Sequence, residues 1–360
     1  MTSQRILVIG GAGYIGSVLV GELLVRGYAV RVFDRLLYGD QGLAHLRHRI
    51  ELVVGDMRAM DSAVFDGVSA VVNLGGLSND PTAEFNPEAN YQMNTVAAEV
   101  TAKQAKAAGV ERYLFASSCS IYDLGHEHPL ADSIRDEESA VEPRAAYAKS
   151  KYLAERAILP LADAEFSPVI LRKGTVYGWS PRMRFDLVVN TFVKDALTQG
   201  RMRLHHGGAL WRPLVDIREV VRIYLTCLEA DTSTVRGQIF NVVGENMRIS
   251  ELALRVQRHL ATLGKCVPIT MDEPTPVQRS YRVSGRKLSE VLHCTLKRPV
   301  EKAITEMVRE MEHLSPAWFE NPRHYNIRWL QMLEEAEGIL GAKGTLWGVR
   351  SSSVAAQEAA

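Results

Sequence analysis

The stretch Gly10-Gly-Ala-Gly-Tyr-Ile-Gly16 decides how this chain folds. It follows a short apolar run, Arg5–Gly10, and opens a segment, Tyr14–Arg26, with the composition of a helix. Glycines at this spacing let a backbone approach a pyrophosphate, and the N-terminus of the following helix supplies N–H donors and a positive dipole end. The alternative is a tight strand-to-helix turn, but the strand–turn–helix context favours a phosphate-binding loop.

The segments after this loop alternate between short β-rich runs and helix-like stretches. The alternation predicts βαβ units, and right-handed crossovers between them would give a doubly wound parallel sheet. The predicted fold class is therefore α/β, a Rossmann-type sheet with a smaller mixed α/β C-terminal substrate lobe. The predicted strands are Arg5–Gly10, Ala29–Phe33, Ile50–Val54, Ala70–Leu74, Arg112–Ala116 and Val169–Leu171, and the predicted helices are Tyr14–Arg26, Pro87–Ala108 and Tyr147–Ile158.

The second half of the chain is less regular, and this change sets the predicted domain boundaries. Residues 1–178 are predicted to form mainly the nucleotide-binding domain. Residues 179–340 are predicted to form mainly the substrate lobe, with about 213–243 returning to the first domain. Residues 341–360, which end in the Ser-, Ala- and Gln-rich stretch Ser351–Ala360, are predicted to be a flexible tail.

Composition excludes several classes of protein. The 360 residues carry 42 Lys plus Arg and 42 Asp plus Glu, and this zero net charge argues against a nucleic-acid partner or a polybasic membrane surface. No apolar run approaches the ~18–20 residues of a membrane span, and the N-terminus lacks the pattern of a signal peptide. The four cysteines have no metal-ligand spacing, so we expect reduced thiols, no metal and a soluble cytoplasmic protein.

Asp34 ends the second β-rich run and bears on the choice of dinucleotide. A carboxylate there can accept hydrogen bonds from ribose hydroxyls and would repel a 2′-phosphate, so NAD is favoured over NADP. Arg35 weakens this choice, because a guanidinium beside the ribose could bind a 2′-phosphate. Asp56, after the third run, could accept from the adenine amino group or could be an ordinary turn aspartate.

Tyr147-Ala-Lys-Ser-Lys151 begins a predicted helix, where residues four apart share one face. A lysine cation beside a phenol stabilises the phenolate, so Tyr147 could act as general base toward an alcohol or as acid toward a ketone. The Y-x-x-x-K pattern is common by chance. It becomes informative downstream of a dinucleotide loop and of Ser117-Ser118 at a strand end, where Ser118 could hold the same reacting oxygen.

Together these motifs resemble the extended short-chain dehydrogenases/reductases, in the NAD-dependent epimerase/dehydratase branch that acts on nucleotide sugars and includes UDP-galactose 4-epimerase. The resemblance covers about residues 5–310 and implies NAD as cofactor, a nucleotide-diphosphate sugar as substrate and Ser118, Tyr147 and Lys151 as catalytic residues. The motifs that carry it, in family order, are Gly10–Gly16, Asp34, Asp56, Asn73-Leu-Gly-Gly76, Asn94, Ser117–Tyr122, Tyr147–Lys151 and Leu171–Gly178.

The resemblance also implies a role for each matching position. Two arginines from distant segments would clamp the substrate diphosphate, although each could equally be a surface arginine in a salt bridge. The implied substrate-binding residues are Ser118, Thr175, Arg212 and Arg279. The implied cofactor-binding residues are Gly10, Gly13, Tyr14, Ile15, Gly16, Asp34, Arg35, Asp56, Met57, Leu74, Gly75, Gly76, Asn94 (behind the cofactor), Ser117, Tyr147, Lys151 and Lys173.

Departures from the family pattern bear on the reaction. In nucleotide-sugar 4,6-dehydratases acidic residues follow the catalytic Ser or Thr, whereas Cys119 and Ser120 stand there, so dehydration ranks below epimerisation or ketone reduction. The Cys119 thiol could protonate a carbanion beside a ketone, or it could be a small buried residue. Lys173 is an unusual charge that we expect to point to solvent.

Two further groups of polar residues have weaker signals. Arg182 and Arg184 could help to hold an anionic substrate. His126-Glu-His128 resembles a pair of metal ligands, but no third ligand accompanies it at a useful spacing, so we expect a polar loop.

Three functions remain open at this stage. The first is a nucleotide-sugar epimerase with tightly bound NAD and Tyr147 as general base. The second is an NAD(P)H-dependent keto-sugar reductase, and the third is a cofactor-sensing binding module without catalysis. The resemblance further implies a homodimer built on Pro87–Ala108 and Tyr147–Ile158.

Overall fold

The structure is a computed structural model that describes residues 4–123, 133–272, 280–340, 346–349 and 353–354. Numbered in chain order, the strands are β1 (Arg5–Ile9), β2 (Ala29–Asp34), β3 (Glu51–Val54), β4 (Val68–Asn73), β5 (Arg112–Ser118), β6 (Ile134–Arg135), β7 (Ser167–Lys173), β8 (Thr175–Tyr177), β9 (Met202–Leu204), β10 (Trp211–Asp216), β11 (Ile239–Val242), β12 (Glu245–Arg248), β13 (Ile269–Met271), β14 (Arg282–Val283) and β15 (Ser353–Val354). The helices are α1 (Tyr14–Val25), α2 (Asp80–Phe85), α3 (Pro87–Tyr91), α4 (Ala97–Ala107), α5 (Ala146–Ile158), α6 (Val188–Gln199), α7 (Ile217–Glu229), α8 (Thr232–Val235), α9 (Ile249–Thr262), α10 (Arg286–Leu292), α11 (Val300–Met311), α12 (Pro316–Glu320) and α13 (Asn326–Ile339).

Seven parallel strands form the central sheet in the order β11-β7-β5-β4-β1-β2-β3, and β15 pairs antiparallel with β3 at one edge. The direction of strand order reverses between β1 and β4, which is the point where doubly wound sheets open a crevice at their carboxyl ends. The predicted Rossmann-type α/β class is confirmed.

Helices cover both faces of this sheet. Along β1, Ile6 and Val8 enter the core on one face, and Leu7 and Ile9 enter the core on the other. Helices α1 and α7 pack on the first face and α4 and α5 on the second. Burial on both faces explains why the strands are nearly continuous apolar runs, since each fully buried side chain contributes about 1.5–3 kcal/mol.

The predicted C-terminal lobe is built on a second sheet, β12-β10-β8, in which β10 runs parallel to β8 and antiparallel to β12. Helices α6, α9 and α11 pack against one another beside it. The return to the first domain runs from α7 to β11, residues 217–242, because β10 joins the lobe sheet instead. Gly174, directly before β8, lets the backbone lie close to β10, since a Cβ there would lie 2.8 Å from the Pro213 carbonyl oxygen.

The segment predicted as one helix, Pro87–Ala108, is divided in the structure. Helix α3 passes into a π-helical turn, Gln92–Val96, before α4 begins. The π turn places Asn94 inside the protein, where its amide donates to the Leu77 carbonyl (2.9 Å) and to Asn90 Oδ1 (2.7 Å). Such turns are common at functional sites.

The C-terminal residues contact the central sheet. Residues 346–349 lie against the first domain, and β15 pairs with Val53 and Val54 of β3. These contacts fall within residues 341–360, which the sequence predicted to be a flexible tail. Across the described ranges, no helix has both the length and the apolar character that spanning a membrane requires.

Candidate functional site

One cavity lies at the carboxyl ends of the central strands and extends toward the lobe. It collects most of the residues predicted from sequence: Gly10, Gly13, Tyr14, Ile15, Gly16, Asp34, Arg35, Asp56, Met57, Leu74, Gly75, Gly76, Ser117, Ser118, Tyr147, Lys151, Lys173, Thr175 and Arg212. Asn94 does not line this cavity and supports the turn behind Gly76. Arg279, the second predicted diphosphate ligand, lies outside the described residues.

The floor of the cavity is bare backbone at the start of α1. Gly10 has a φ of 76°, and a Cβ there would lie 2.9 Å from the amide nitrogen of Gly75, so the two glycine turns touch. Gly13 is the N-cap of α1 and offers no side-chain cap, and the first turn carries no acidic residue. The amides of this turn can therefore receive an anion such as a pyrophosphate.

Asp34 is held rigidly at the wall of the cavity. Its carboxylate accepts hydrogen bonds from the amides of Ala12 (2.9 Å) and Leu36 (2.8 Å). Burial raises the pKa of this carboxyl above its ordinary range, against the lowering effect of those two amides. The side chain is therefore fixed where it can meet the ribose of a dinucleotide.

Asp56 has a partner that the sequence analysis did not identify. Its carboxylate accepts from Arg58 through Nε (2.9 Å) and Nη2 (2.6 Å), and Arg35 Nε lies 3.4 Å away. Burial alone would raise the pKa of Asp56, but the hydrogen bonds from Arg58 outweigh it and lower this pKa. A carboxylate bound in this way is already neutralised beside the predicted adenine position.

The catalytic trio predicted from sequence converges on one side of the cavity. Tyr147 lies in the first turn of α5, and Lys151 follows one turn later with its Nζ 6.0 Å from the centre of the Tyr147 ring. Ser118 ends β5, and its hydroxyl accepts from the Ser120 amide at 3.2 Å. A phenol, an amine and a hydroxyl therefore face one space, as proton transfer at a single oxygen requires.

Burial changes the acid–base character of Lys151, whose side chain also lies over the Phe115 ring. Desolvation lowers the pKa of Lys151 from 10.5 to about 8, and the nearby Glu155 carboxylate opposes this effect. The ammonium form is therefore costly in the protein without its cofactor.

We expect Lys151→Met to stabilise the cofactor-free protein at pH 7 by roughly 3 kcal/mol, since one pKa unit corresponds to about 1.4 kcal/mol. The pKa of Lys151 is lower in the folded protein than in the unfolded chain. The protonated lysine therefore destabilises the folded protein fully below about pH 8, and this penalty fades as the pH rises toward 10.5. Chemical denaturation of wild type and variant at several pH values measures this gap, with exposed Lys149→Met on the same helix as the control. A gap that stays constant with pH would contradict the assignment.

A buried ion pair beneath the trio was missed by sequence reasoning. Arg172 of β7 donates to both carboxylate oxygens of Glu155, with Nη2 at 2.6 Å from Oε2, and also to the Tyr122 hydroxyl at 2.7 Å. The Ser117 hydroxyl donates to the same Glu155 carboxylate. Glu155 follows Lys151 by four residues, and this helical spacing was the one available signal.

Lys173 does not point to solvent, which corrects the expectation from sequence. Its Nζ donates to the Ser117 carbonyl at 2.9 Å and lies 3.5 Å from the Tyr224 hydroxyl. Burial lowers the pKa of Lys173 well below its ordinary value, and the nearby Lys151 lowers it further. Lys173 thus fixes the end of β5, the strand that carries Ser118.

The proposed acid role of Cys119 does not fit the structure. The side chain is fully buried outside the cavity, and its Sγ donates to the Arg172 carbonyl at 3.1 Å. Burial also raises the pKa of the thiol. Cys119 is therefore the small buried residue of the alternative interpretation, and Ser120 is the neighbour that lines the cavity.

Three arginines of the lobe side reach the cavity. Arg212 lies 5.9 Å from the Tyr281 ring and donates to the Trp211 carbonyl at 2.8 Å. Arg182 stacks over the Tyr38 ring at 4.2 Å, and burial lowers its pKa to about 10. Arg184 pairs with Asp186 at 2.7 Å. Because Arg184 is already paired with Asp186, Arg182 and Arg212 are the arginines that could receive an anion at the lobe side of the cavity.

The described residues also bear on whether the chain could bind a metal ion. Within the part of the chain that the structure describes, no group of three His, Cys, Asp or Glu side chains is arranged to hold a metal ion. His126 and His128 lie outside that part.

Comparisons with known proteins show the family to which the chain belongs. The model of the NAD dependent epimerase/dehydratase family matches residues 6–243. Sterol-4-alpha-carboxylate 3-dehydrogenase, decarboxylating, from Bos taurus is 28% identical over 278 residues, which cover 76% of this chain and 67% of that protein. UDP-glucose 4-epimerase from Rhizobium leguminosarum bv. trifolii is 30% identical over 164 residues, 44% of this chain and 47% of the relative.

Solved structures are also similar to this chain. MoeE5 in complex with UDP-glucose and NAD superposes with a TM-score of 0.69 at 25% identity, covering 85% of this chain and 97% of that chain. The aligned parts thus span about two thirds and about half of the two curated relatives, and nearly all of the structural neighbour.

Proposed function

Because the chain belongs to the NAD-dependent epimerase/dehydratase family, we propose that it is a nucleotide-sugar epimerase that acts through a transient keto-sugar. The observation that carries this proposal is the convergence of Ser118, Tyr147 and Lys151 on a cavity that continues to Arg212 in the lobe. A hydroxyl held at the trio would be deprotonated there, while a diphosphate would lie toward the arginines.

The cofactor prediction is confirmed, because the family is NAD-dependent. The residues present fit this group: the touching glycine turns leave room for backbone contact, and Asp34 stands fixed beside them. When bound, NAD supplies a site that accepts a hydride from the substrate carbon and can return it. We assign the pyrophosphate to the first turn of α1 and the adenosine ribose to Asp34.

The chain's own residues supply the proton chemistry. Tyr147 as phenolate accepts the hydroxyl proton, and Ser118 holds the same oxygen by a hydrogen bond. Lys151, one turn after Tyr147, favours the phenolate when it is protonated. Lys173 and the Glu155–Arg172 pair touch Ser117, so they hold the strand end that presents Ser118.

Dehydration is disfavoured by the residues that follow Ser118. Cys119 is buried and turned away, and Ser120 offers a hydroxyl where an acid would be needed to drive loss of water. A hydroxyl with an ordinary, very high pKa is a poor proton donor compared with a carboxylic acid. The geometry therefore supports chemistry that returns the substrate to the alcohol level.

A second candidate is a dehydrogenase or reductase that turns the cofactor over once per substrate. The similarity to the Bos taurus sterol dehydrogenase favours it, because its name describes net oxidation. The same trio could serve that reaction. The two candidates differ in whether NADH accumulates.

The test is to incubate the purified chain with a panel of UDP- and dTDP-hexoses and hexuronic acids, without added cofactor. We expect conversion of one sugar into its epimer, seen by chromatography with mass detection. We also expect less than one mole of NADH to be released per mole of protein. Stoichiometric NADH or a keto product would instead support the second candidate. Absence of any product and of any NADH across this panel would contradict the proposed epimerase function.

The homodimer stays a prediction. Helices α3, α4 and α5 expose Tyr91, Val100 and Leu153, respectively, which supports a helix-mediated interface. Light scattering at micromolar concentration would test it, and a monomer would contradict it.

A further inference from the structure

The C-terminal strap, residues 346–349 with β15, contacts Arg35 and Arg58 beside the cavity wall that carries Asp34 and Asp56. Leu346 is buried, and the Trp347 ring packs 6.3 Å from the Phe85 ring while its Nε1 donates to Glu334 at 3.1 Å. Strand β15 continues the contact by pairing with β3, directly before Asp56. Side-chain packing and backbone strand pairing thus both hold the strap in place.

The strap binds two arginines through its carbonyl oxygens. Arg58 donates from Nη1 to Trp347 (2.8 Å) and from Nη2 to Gly348 (3.0 Å), while its other donors bind Asp56. Arg35 donates from Nη2 to the carbonyls of Leu346 and Gly348, and its Nε faces Asp56 at 3.4 Å. Both side chains are only 12% exposed.

The hydrogen bonds of Arg35 bear on cofactor choice because of where this residue lies. It lines the cavity directly after Asp34, and an arginine at this place is the group that accommodates the 2′-phosphate of NADP. Nη1 of Arg35 is buried, so the guanidinium would have to move, and give up its hydrogen bonds to two carbonyls, before it could bind such a phosphate. A guanidinium that must break existing hydrogen bonds to carbonyls gains less from a new anion, because each lost hydrogen bond must be replaced.

We propose that the C-terminal strap sets the preference for NAD over NADP. The strap carbonyls and Asp56 hold Arg35 and Arg58 by hydrogen bonds. The Asp34 carboxylate is then left to select a ribose with a free 2′-hydroxyl. The inference rests on NAD being the cofactor. It concerns adenosine recognition alone and does not depend on which sugar reacts.

Two truncated chains provide a matched test. A chain ending at Leu340 loses the strap, whereas a chain ending at Val349 keeps the carbonyls that bind the arginines and loses β15. Calorimetric titration of cofactor-free protein with NAD⁺ and with NADP⁺ gives the ratio of the two dissociation constants. For the chain ending at Leu340, we expect the ratio of the NADP⁺ to the NAD⁺ dissociation constant to fall about tenfold or more, within the usual range of coupling between sites. The chain ending at Val349 should keep most of the preference for NAD⁺.

Arg35→Ala separates a specific effect from general loosening. Introduced into the chain ending at Leu340, it should abolish the gained NADP⁺ affinity, because the freed guanidinium is what binds the extra phosphate. In the full chain, Trp347→Ala should shift the preference in the same direction as truncation, which serves if the shortened chain does not fold. An unchanged ratio in folded truncated protein and in Trp347→Ala would overturn the proposal, whether or not sugar epimerisation is found.

Discussion

Tyr147→Phe is expected to lower kcat by about 10²- to 10⁴-fold while the affinity for NAD changes little. The variant keeps the ring that packs near Lys151 and removes only the hydroxyl that exchanges a proton with the substrate. Without it, the trio lacks the group assigned as the base, because Ser118 is an alcohol and Lys151 is assigned the role of the ammonium that stabilises the phenolate. Steady-state kinetics and calorimetric titration with NAD⁺ measure the two quantities separately.

Tyr152→Phe is the matched control for this change. It removes a phenol from the same helix, at a position that does not line the cavity. We expect its kcat to stay within a factor of about two or three of wild type, as for a substitution outside the reacting groups. If Tyr147→Phe retained wild-type turnover, the chain would not use Tyr147 as its base, and a binding function without catalysis would become the better account.

Glu155→Gln is expected to destabilise the folded protein by about 3–5 kcal/mol, because it leaves the Arg172 guanidinium buried without its counter-charge. The two side chains are 1% and 4% exposed, and Arg172 reaches no other carboxylate in its described contacts. Since total stabilities are about 5–15 kcal/mol, this loss is large. Urea denaturation followed by circular dichroism measures it.

Two further variants identify the cause of that loss. Glu165→Gln removes an exposed carboxylate from the loop before β7 and should cost less than about 0.5 kcal/mol. The double variant Glu155→Leu with Arg172→Met should be more stable than Glu155→Gln alone, because it removes the Arg172 guanidinium that the single variant leaves buried without its counter-charge. A single variant as stable as the Glu165 control would show that the ion pair is dispensable.

Sequence patterns predicted the sheet, its phosphate loop and the catalytic trio. These features are encoded within short segments: a glycine turn between a strand and α1, or Tyr147 and Lys151 four residues apart on one helix. The resemblance extended them to most of the cavity wall. The expectation for Lys173 was wrong because burial decided its role, and its side chain donates to a carbonyl instead of reaching solvent. Burial also decided between the two interpretations of Cys119, whose thiol donates to the Arg172 carbonyl.

The tertiary structure alone decided which distant residues meet. Arg172 and Glu155 pair because β7 lies beside β5 beneath α5, and Arg35 meets Leu346 across 311 positions of sequence. No spacing rule encodes such a contact, because it depends on how the sheet orders its strands and on where the chain returns. The sequence by itself determined the chemistry that can occur at the cavity, since that chemistry resides in local motifs. The fold decided which charges are neutralised around it, since pairing depends on proximity in space.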